Sequence, residues 1–246
     1  METESKQNTL LTPIAIIVAG VLIAGGLYFG ISSSSGSAGA LQQGGEQLTG
    51  DLEQMKPITA NDHIRGNPDA KVVIVEYSDM ECPFCKAFHS TLQQAVKAYD
   101  GEVAWVYRHF PLDQLHSKAR KEAVAAECAA EQGGPSSSLG TSNDVFWKYT
   151  DRFFELTPSN DRTNIETVLP QIAKEIGLDT AKFARCLTSK KYDAHIEDDV
   201  QNAVATGGNG TPWSVVVSKS GKKYPLSGAQ PYESVKQLIE RALQEK

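Results

Sequence analysis

Apolar and polar positions along the chain fall into two regimes. From Leu10 to Ile31 the sequence LLTPIAIIVAGVLIAGGLYFGI carries no charge over 22 residues. At about 1.5 Å rise per residue, a helix of that length spans the roughly 30 Å hydrocarbon layer of a membrane. Further along, apolar residues recur in short blocks with turn signals between them. Val72–Ser78 (VVIVEYS) reads as a near-continuous strand, followed by a helical pattern over 83–99 and a second strand over 102–109. A long helical stretch runs from about 114 to 206, then strands over 213–218 and 222–227 and a last helix over 231–244. Asp100-Gly101 and Ser220-Gly221 mark turns, the latter a tight hairpin, and Pro231 opens the terminal helix. Within the helical stretch Gly133–Asn143 is a loop by composition. Val145, Phe146, Trp147, Tyr149, Phe153 and Phe154 recur at helical spacing and mark core.

The first apolar block is expected to be a retained signal anchor. A cleaved signal peptide is the alternative, but its apolar core usually runs about 7–15 residues. Lys6 precedes the block and the next basic residue is Lys56, so residues 1–9 are expected in the cytoplasm and the rest outside it. Residues 32–58, rich in Ser, Gly and Gln, are expected to form a flexible tether. That leaves 59–246 for one globular domain with a sizeable core. A formal net charge of −6 without a basic stripe argues against nucleic acid or an anionic lipid surface as a partner.

Candidate chemistry concentrates at Cys82-Pro83-Phe84-Cys85, where the first strand gives way to the first helix. Two thiols at this spacing can close a disulfide with little backbone movement, and the second can attack a mixed disulfide formed by the first. A helix start carries partial positive charge and unpaired N–H groups, so Cys82, with Pro83 at the first helical position, should ionise below an ordinary thiol. Half of a zinc site is a second reading, but it needs two more ligands, and Cys128 and Cys186 lie far off and are no second close pair. A purely structural four-residue loop is a third, and it would remove little chain entropy. Glu76, inside an apolar strand, is either an edge position facing water or a buried acid of raised pKa. Asp79 and Glu81 add negative charge that opposes a Cys82 thiolate, whereas Lys86 and His89 favour it. His63, His109, His116 and His195 show no ligand-like spacing and read as surface or core residues. Pro212 cannot donate to a sheet, so it belongs at the start of the apolar run that follows it.

Several separated segments together resemble the DsbA-like family of extracytoplasmic thiol oxidoreductases. They are His63–Ala70 leading into Val72–Cys85, then Phe146-Trp147-Tyr149, then Gly210-Thr211-Pro212. The resemblance covers roughly His63 to Leu243. It implies an α/β thioredoxin fold with a helical domain inserted at about 114–206, here preceded by one transmembrane helix. It further implies a cis bond between Thr211 and Pro212 beside Cys82. The Thr211 backbone, Pro83 and Phe84 would then meet substrate, and Glu76 would relay the Cys85 proton. Such exchange calls for no cofactor and no metal. The family's strong oxidant carries a histidine where this chain has Phe84, so extreme oxidising power does not carry over.

Similar second cysteine pairs occur in some relatives, which favours a structural Cys128–Cys186 bond over two buried free thiols. The function implied is the introduction of disulfides into secreted or periplasmic proteins. Reduced secreted proteins would be the substrates, and a membrane or extracytoplasmic partner would restore the pair. Reduction or isomerisation on the same parts is the alternative, since direction follows the pair's potential. A module of another class, carrying Cu(I) on Cys82, Cys85 and His89, also fits soft thiolate ligands.

Overall fold

The computed structural model describes residues 50–134, 138 and 141–245. The anchor expected at 10–31 and the tether before residue 50 lie outside the described residues. Among those described, no helix is long and apolar enough to cross a membrane.

Five strands form one sheet: β1 (His63–Arg65), β2 (Val72–Ser78), β3 (Val103–His109), β4 (Trp213–Ser218) and β5 (Lys223–Ser227). Their order is β1-β3-β2-β4-β5. β2 and β3 are parallel, pairing Val72 with Val103 through to Ser78 with His109. Parallel neighbours require a crossover, and α1 (Pro83–Ala98) makes it. The other three pairings, β1 with β3, β4 with β2 and β5 with β4, are antiparallel. Between β3 and β4 stand α2 (Ala119–Ala130), α3 (Ser142–Leu156), α4 (Ile165–Glu175), α5 (Thr180–Leu187) and α6 (Asp193–Ala205), and α7 (Tyr232–Leu243) closes the chain. The architecture is a mixed α/β, thioredoxin-like fold.

Side chains alternate across a strand, and along β2 this decides where the chemistry lands. Val72 and Ile74 point to the face covered by Phe88, Leu92 and Ala95 of α1 and by Val235 and Ile239 of α7. Val73, Val75 and Tyr77 point to the opposite face, against Phe110, Met55 and Ala203 of α6. Glu76 shares the parity of Val72 and Ile74, so its carboxyl is carried under α1 rather than to water.

Three expectations need correction. The tether does not reach residue 58: Leu52–Gln54 form a 3-10 turn, Met55 is buried, and the Asp51 N–H donates to Ala205 O at 3.0 Å. The buried Arg108 guanidinium donates to Lys56 O and Pro57 O at 3.2 and 3.1 Å, so this polar segment satisfies buried groups instead of linking domains. The helical stretch begins at 119, because 110–118 follow β3 as turns. Pro231 caps α7 rather than opening it, with Tyr232 as the first helical residue. β1 is only three residues long and owes its place to tertiary pairing. The Asn143 side chain donates to Ile64 O at 2.6 Å and accepts the Ile64 N–H at 2.7 Å, which closes an edge that would otherwise stay open.

Candidate active site

The turn from β2 into α1 sets Cys82 at the N-cap, with φ −75° and ψ 123°, no side-chain cap bond, and Pro83 next in the helix. The sulfur is therefore not spent on capping. Thr211 O lies 3.5 Å from Cys82 Sγ, and the Thr211–Pro212 peptide bond is cis. The loop that brings Thr211 here needs glycine twice. Gly207 has φ +104°, and a Cβ on Gly208 would stand 2.9 Å from both Ala203 O and a ring carbon of Trp213. Cys82 opens on a cleft of about 480 Å³, lined also by Phe84, Leu112, Leu115, His116, Asn160 and Thr211.

The two thiols are unequal. Cys85 is fully buried, and burial, then the hydrogen bond to Cys82 and the charges of Cys82 and Glu76, push its thiol well above the ordinary value. The Asp79 N–H, 3.4 Å from the Cys85 sulfur, works the other way. Cys82 is held down to about 6, first by the hydrogen bond from Cys85 and then by N–H groups of the helix start, against the cost of its own burial. Glu76 has no exposure, and burial raises it to about 8 although the Trp105 indole N–H donates to its Oε2 at 2.9 Å. Its Oε1 has no hydrogen-bond partner. A buried acid of this kind, coupled by charge to both thiols, can take or give one proton near neutral pH.

The expected ring of charges is rearranged. Asp79 does not oppose the thiolate as a bare charge: it is buried, its Oδ1 accepts the Glu81 N–H at 2.8 Å, and its Oδ2 accepts the Leu112 N–H at 2.8 Å and lies 2.9 Å from His116 Nδ1. Burial works against a charged His116, but the Asp79 carboxylate outweighs it and the Cys82 charge adds to the rise. His89 moves oppositely, because burial lowers it in spite of Asp151 at 2.6 Å. Lys86 Nζ is occupied by Thr157 O at 2.6 Å. The imidazole at the cleft is thus His116, not His89. Burial and the neighbouring Glu81 carboxyl push Glu122 up to about 10, so it keeps its proton beside that second carboxyl.

Cys128 and Cys186 are joined, with Cα atoms 5.7 Å apart, tying α2 to α5. Cys82 and Cys85 are free thiols. His63, His109 and His116 are core residues and His195 is partly exposed, and three of the four meet at one buried carboxylate. His63 and His109 Nε2 lie 2.8 and 2.9 Å from Glu127 Oε1, and His195 Nε2 lies 3.7 Å from it. Burial opposes the Glu127 charge, yet His63 and His109 hold its carboxyl well below the usual range. Among the described residues no group of three His, Cys, Asp or Glu is arranged to hold a metal ion. Sequence reasoning missed His116, Glu122 and Glu127 because their partners are distant in the chain. One signal was present: Ala123, Ala125, Ala126, Ala129 and Ala130 mark a helix packed closely on several sides, where any acid must be buried.

A thiol of lowered pKa at a helix start, a buried partner thiol, a buried acid coupled to both and a cis-proline loop alongside define a thiol–disulfide oxidoreductase on a thioredoxin-like fold. A family model described as Thioredoxin matches residues 59–241, and the chain belongs to that family. Its structural neighbours are DsbA-like protein disulfide oxidoreductases. DsbA2 of Pseudomonas aeruginosa is 28% identical, with a TM-score of 0.61 over 77% of this chain and 100% of that one. A thioredoxin-like oxidoreductase from Silicibacter pomeroyi is 26% identical, with a TM-score of 0.62 over 76% and 95%. BdbD from Bacillus subtilis, 22% identical with a TM-score of 0.61 over 75% and 94%, shares the fold. Curated relatives include the Na(+)/H(+) antiporter NhaA 1 of Mycolicibacterium gilvum, 31% identical over 68% of this chain, and NhaA 3 of Salinispora tropica, 32% identical over 66%. The chain spans about a quarter of their length, 25% and 23%.

Proposed function

We propose that this chain is a membrane-anchored, extracytoplasmic oxidant that introduces disulfides into secreted proteins. The setting of Cys82 supports the direction: it sits at the N-cap of α1 with its sulfur unspent on capping and Thr211 O 3.5 Å away, and its thiol is held down to about 6. A stabilised thiolate favours the reduced form of the pair, which makes the disulfide form a better oxidant. In the oxidised state a substrate thiolate attacks Cys82 Sγ, the Cys82–Cys85 bond breaks, and Cys85 leaves as a thiolate that takes a proton from Glu76. A second substrate thiolate then attacks the substrate sulfur of the mixed disulfide and expels the Cys82 thiolate. Two electrons pass from the substrate to the pair, and a redox partner reverses the process by accepting them. Pro83, Phe84 and the Thr211 backbone contact the substrate during the exchange.

The deciding experiment is the equilibrium reduction potential of Cys82/Cys85 against glutathione, beside oxidation of a reduced test protein. A potential above roughly −200 mV supports the oxidant; a value near the roughly −270 mV of a reducing thioredoxin overturns it in favour of reduction. The anchor is tested separately. Full-length protein should stay in the membrane fraction after carbonate washing, with Cys82 labelled by an impermeant thiol reagent in spheroplasts, and release of a form starting near Leu41 would show cleavage instead.

A further inference from the structure

Two segments far apart in the chain, among others, line the cleft at Cys82. One is the Gly210-Thr211 backbone ahead of β4. The other is Asn160, from the segment between α3 and α4. Ser159, Asn160 and Asp161 all lie in the left-handed region, with φ of 65°, 55° and 56°, which non-glycine residues rarely occupy even singly. Such backbone persists only where its surroundings over-determine it, and it clusters at functional sites.

The surroundings here do so. The Asp161 carboxylate accepts the Ser117 and Lys118 N–H groups at 3.0 and 3.2 Å. Lys118 Nζ donates to Asp161 O and, at 2.7 Å, to Thr163 O. The Asn160 N–H donates to Glu81 O at 2.8 Å, and the Asp161 N–H to Glu81 Oε2 at 2.7 Å. Because Glu81 immediately precedes Cys82, these bonds register the segment to the nucleophile itself. Ser159 is buried and Asp161 half-buried, while the Asn160 side chain is exposed at the cleft. Phe84 and Leu115 line the same cleft and are 64% and 70% exposed.

We propose that Asn160 is a specificity-determining residue. Its amide hydrogen-bonds the backbone of an extended, cysteine-bearing substrate segment in the cleft that Thr211 also lines, and Phe84 and Leu115 take an apolar side chain next to that cysteine. A carboxamide suits this task, since its carbonyl and NH₂ match both groups of a peptide unit. The inference rests on the exchange reading above.

The test uses Asn160→Gly, which deletes the amide but tolerates the left-handed backbone. Oxidised protein is mixed with a peptide whose single cysteine is flanked by leucines and, separately, with 2-mercaptoethanol, and the two rates of mixed-disulfide formation are compared. The peptide-to-mercaptoethanol ratio should fall about three- to tenfold in the variant, the worth of one or two hydrogen bonds, at an unshifted Cys82/Cys85 potential. An unchanged ratio overturns the inference, as does a potential shift large enough to account for the rates. If the parent reacts with 2-mercaptoethanol and not with the peptide, the exchange reading itself falls and the inference with it.

Discussion

Cys82/Cys85 and Cys128/Cys186 are two pairs of the same side chain in opposite settings. The first pair brackets a four-residue turn at a helix start, with one thiol held down, the other pushed up and a buried acid coupled by charge to both. The second spans 58 residues between two helices; Cys128 is fully buried, and Cys186 has the Glu131 carboxylate 3.4 Å from its sulfur. A short loop gains little from closure and a long one gains much, while a thiolate forms only where something stabilises it. The contrast teaches that reactivity is written in loop length and neighbours, not in cysteine itself.

The sharpest break between the pairs comes from Cys82→Ser, which should reduce exchange to the uncatalysed rate, whereas Cys85→Ala should accumulate mixed disulfides through Cys82. Alkylation of reduced protein checks the same asymmetry: Cys82 should react with a midpoint near about 6 and Cys85 only far above it, and equal profiles would count against the assignment.

Next in size is Glu76→Gln, which should slow the Cys85 proton step on the order of a hundredfold in single-turnover reoxidation. Its stability effect has a definite sign. Glu76 is raised from 4.5 to about 8, so between those values the folded protein holds a proton that the unfolded chain has lost, and stability falls as pH rises. The variant should gain on the parent in melting temperature from about 4.5 to about 8, then run parallel to it; a constant difference would remove Glu76 from the account.

His116→Asn should raise the Cys82 pKa by less than about one unit, because one partly screened charge is lost. Absorbance of the thiolate against pH reads this directly. The smallest effect on exchange belongs to Cys128→Ala/Cys186→Ala, which should keep its rate when folded while losing up to roughly 4 kcal/mol in a denaturant titration, an upper figure on the chain-entropy model. Exchange lost along with this bond would erase the distinction between the two pairs.

Much of this was legible along the chain, for local reasons. Val72–Ser78, the helix after Cys82 and the paired strands near Ser220-Gly221 announce themselves by apolar runs and turn residues. The cysteine spacing and the apolar strand around Glu76 pointed to the site. What stayed hidden depends on contacts between residues far apart in sequence. Asp79 meets His116 at a separation of 37, His63 meets Glu127 at 64, and Arg108 reaches back 52 residues to Lys56. The two-residue period of β2 could have settled Glu76's side, since it shares its parity with Val72 and Ile74, but which face α1 would cover emerges only from the folded sheet.

The indole of Trp105 gives this arrangement an optical consequence. Of the three tryptophans, it is the one whose N–H rests on Glu76, and a charge on Cys82 adds to the rise of the Glu76 carboxyl that burial begins. Emission from an indole responds to a carboxylate arriving at or leaving its nitrogen. The domain therefore carries a label-free readout of its own redox state: reduction should change Trp105 fluorescence, Trp105→Phe should remove most of that change, and Glu76→Gln should remove its dependence on pH while leaving the protein foldable.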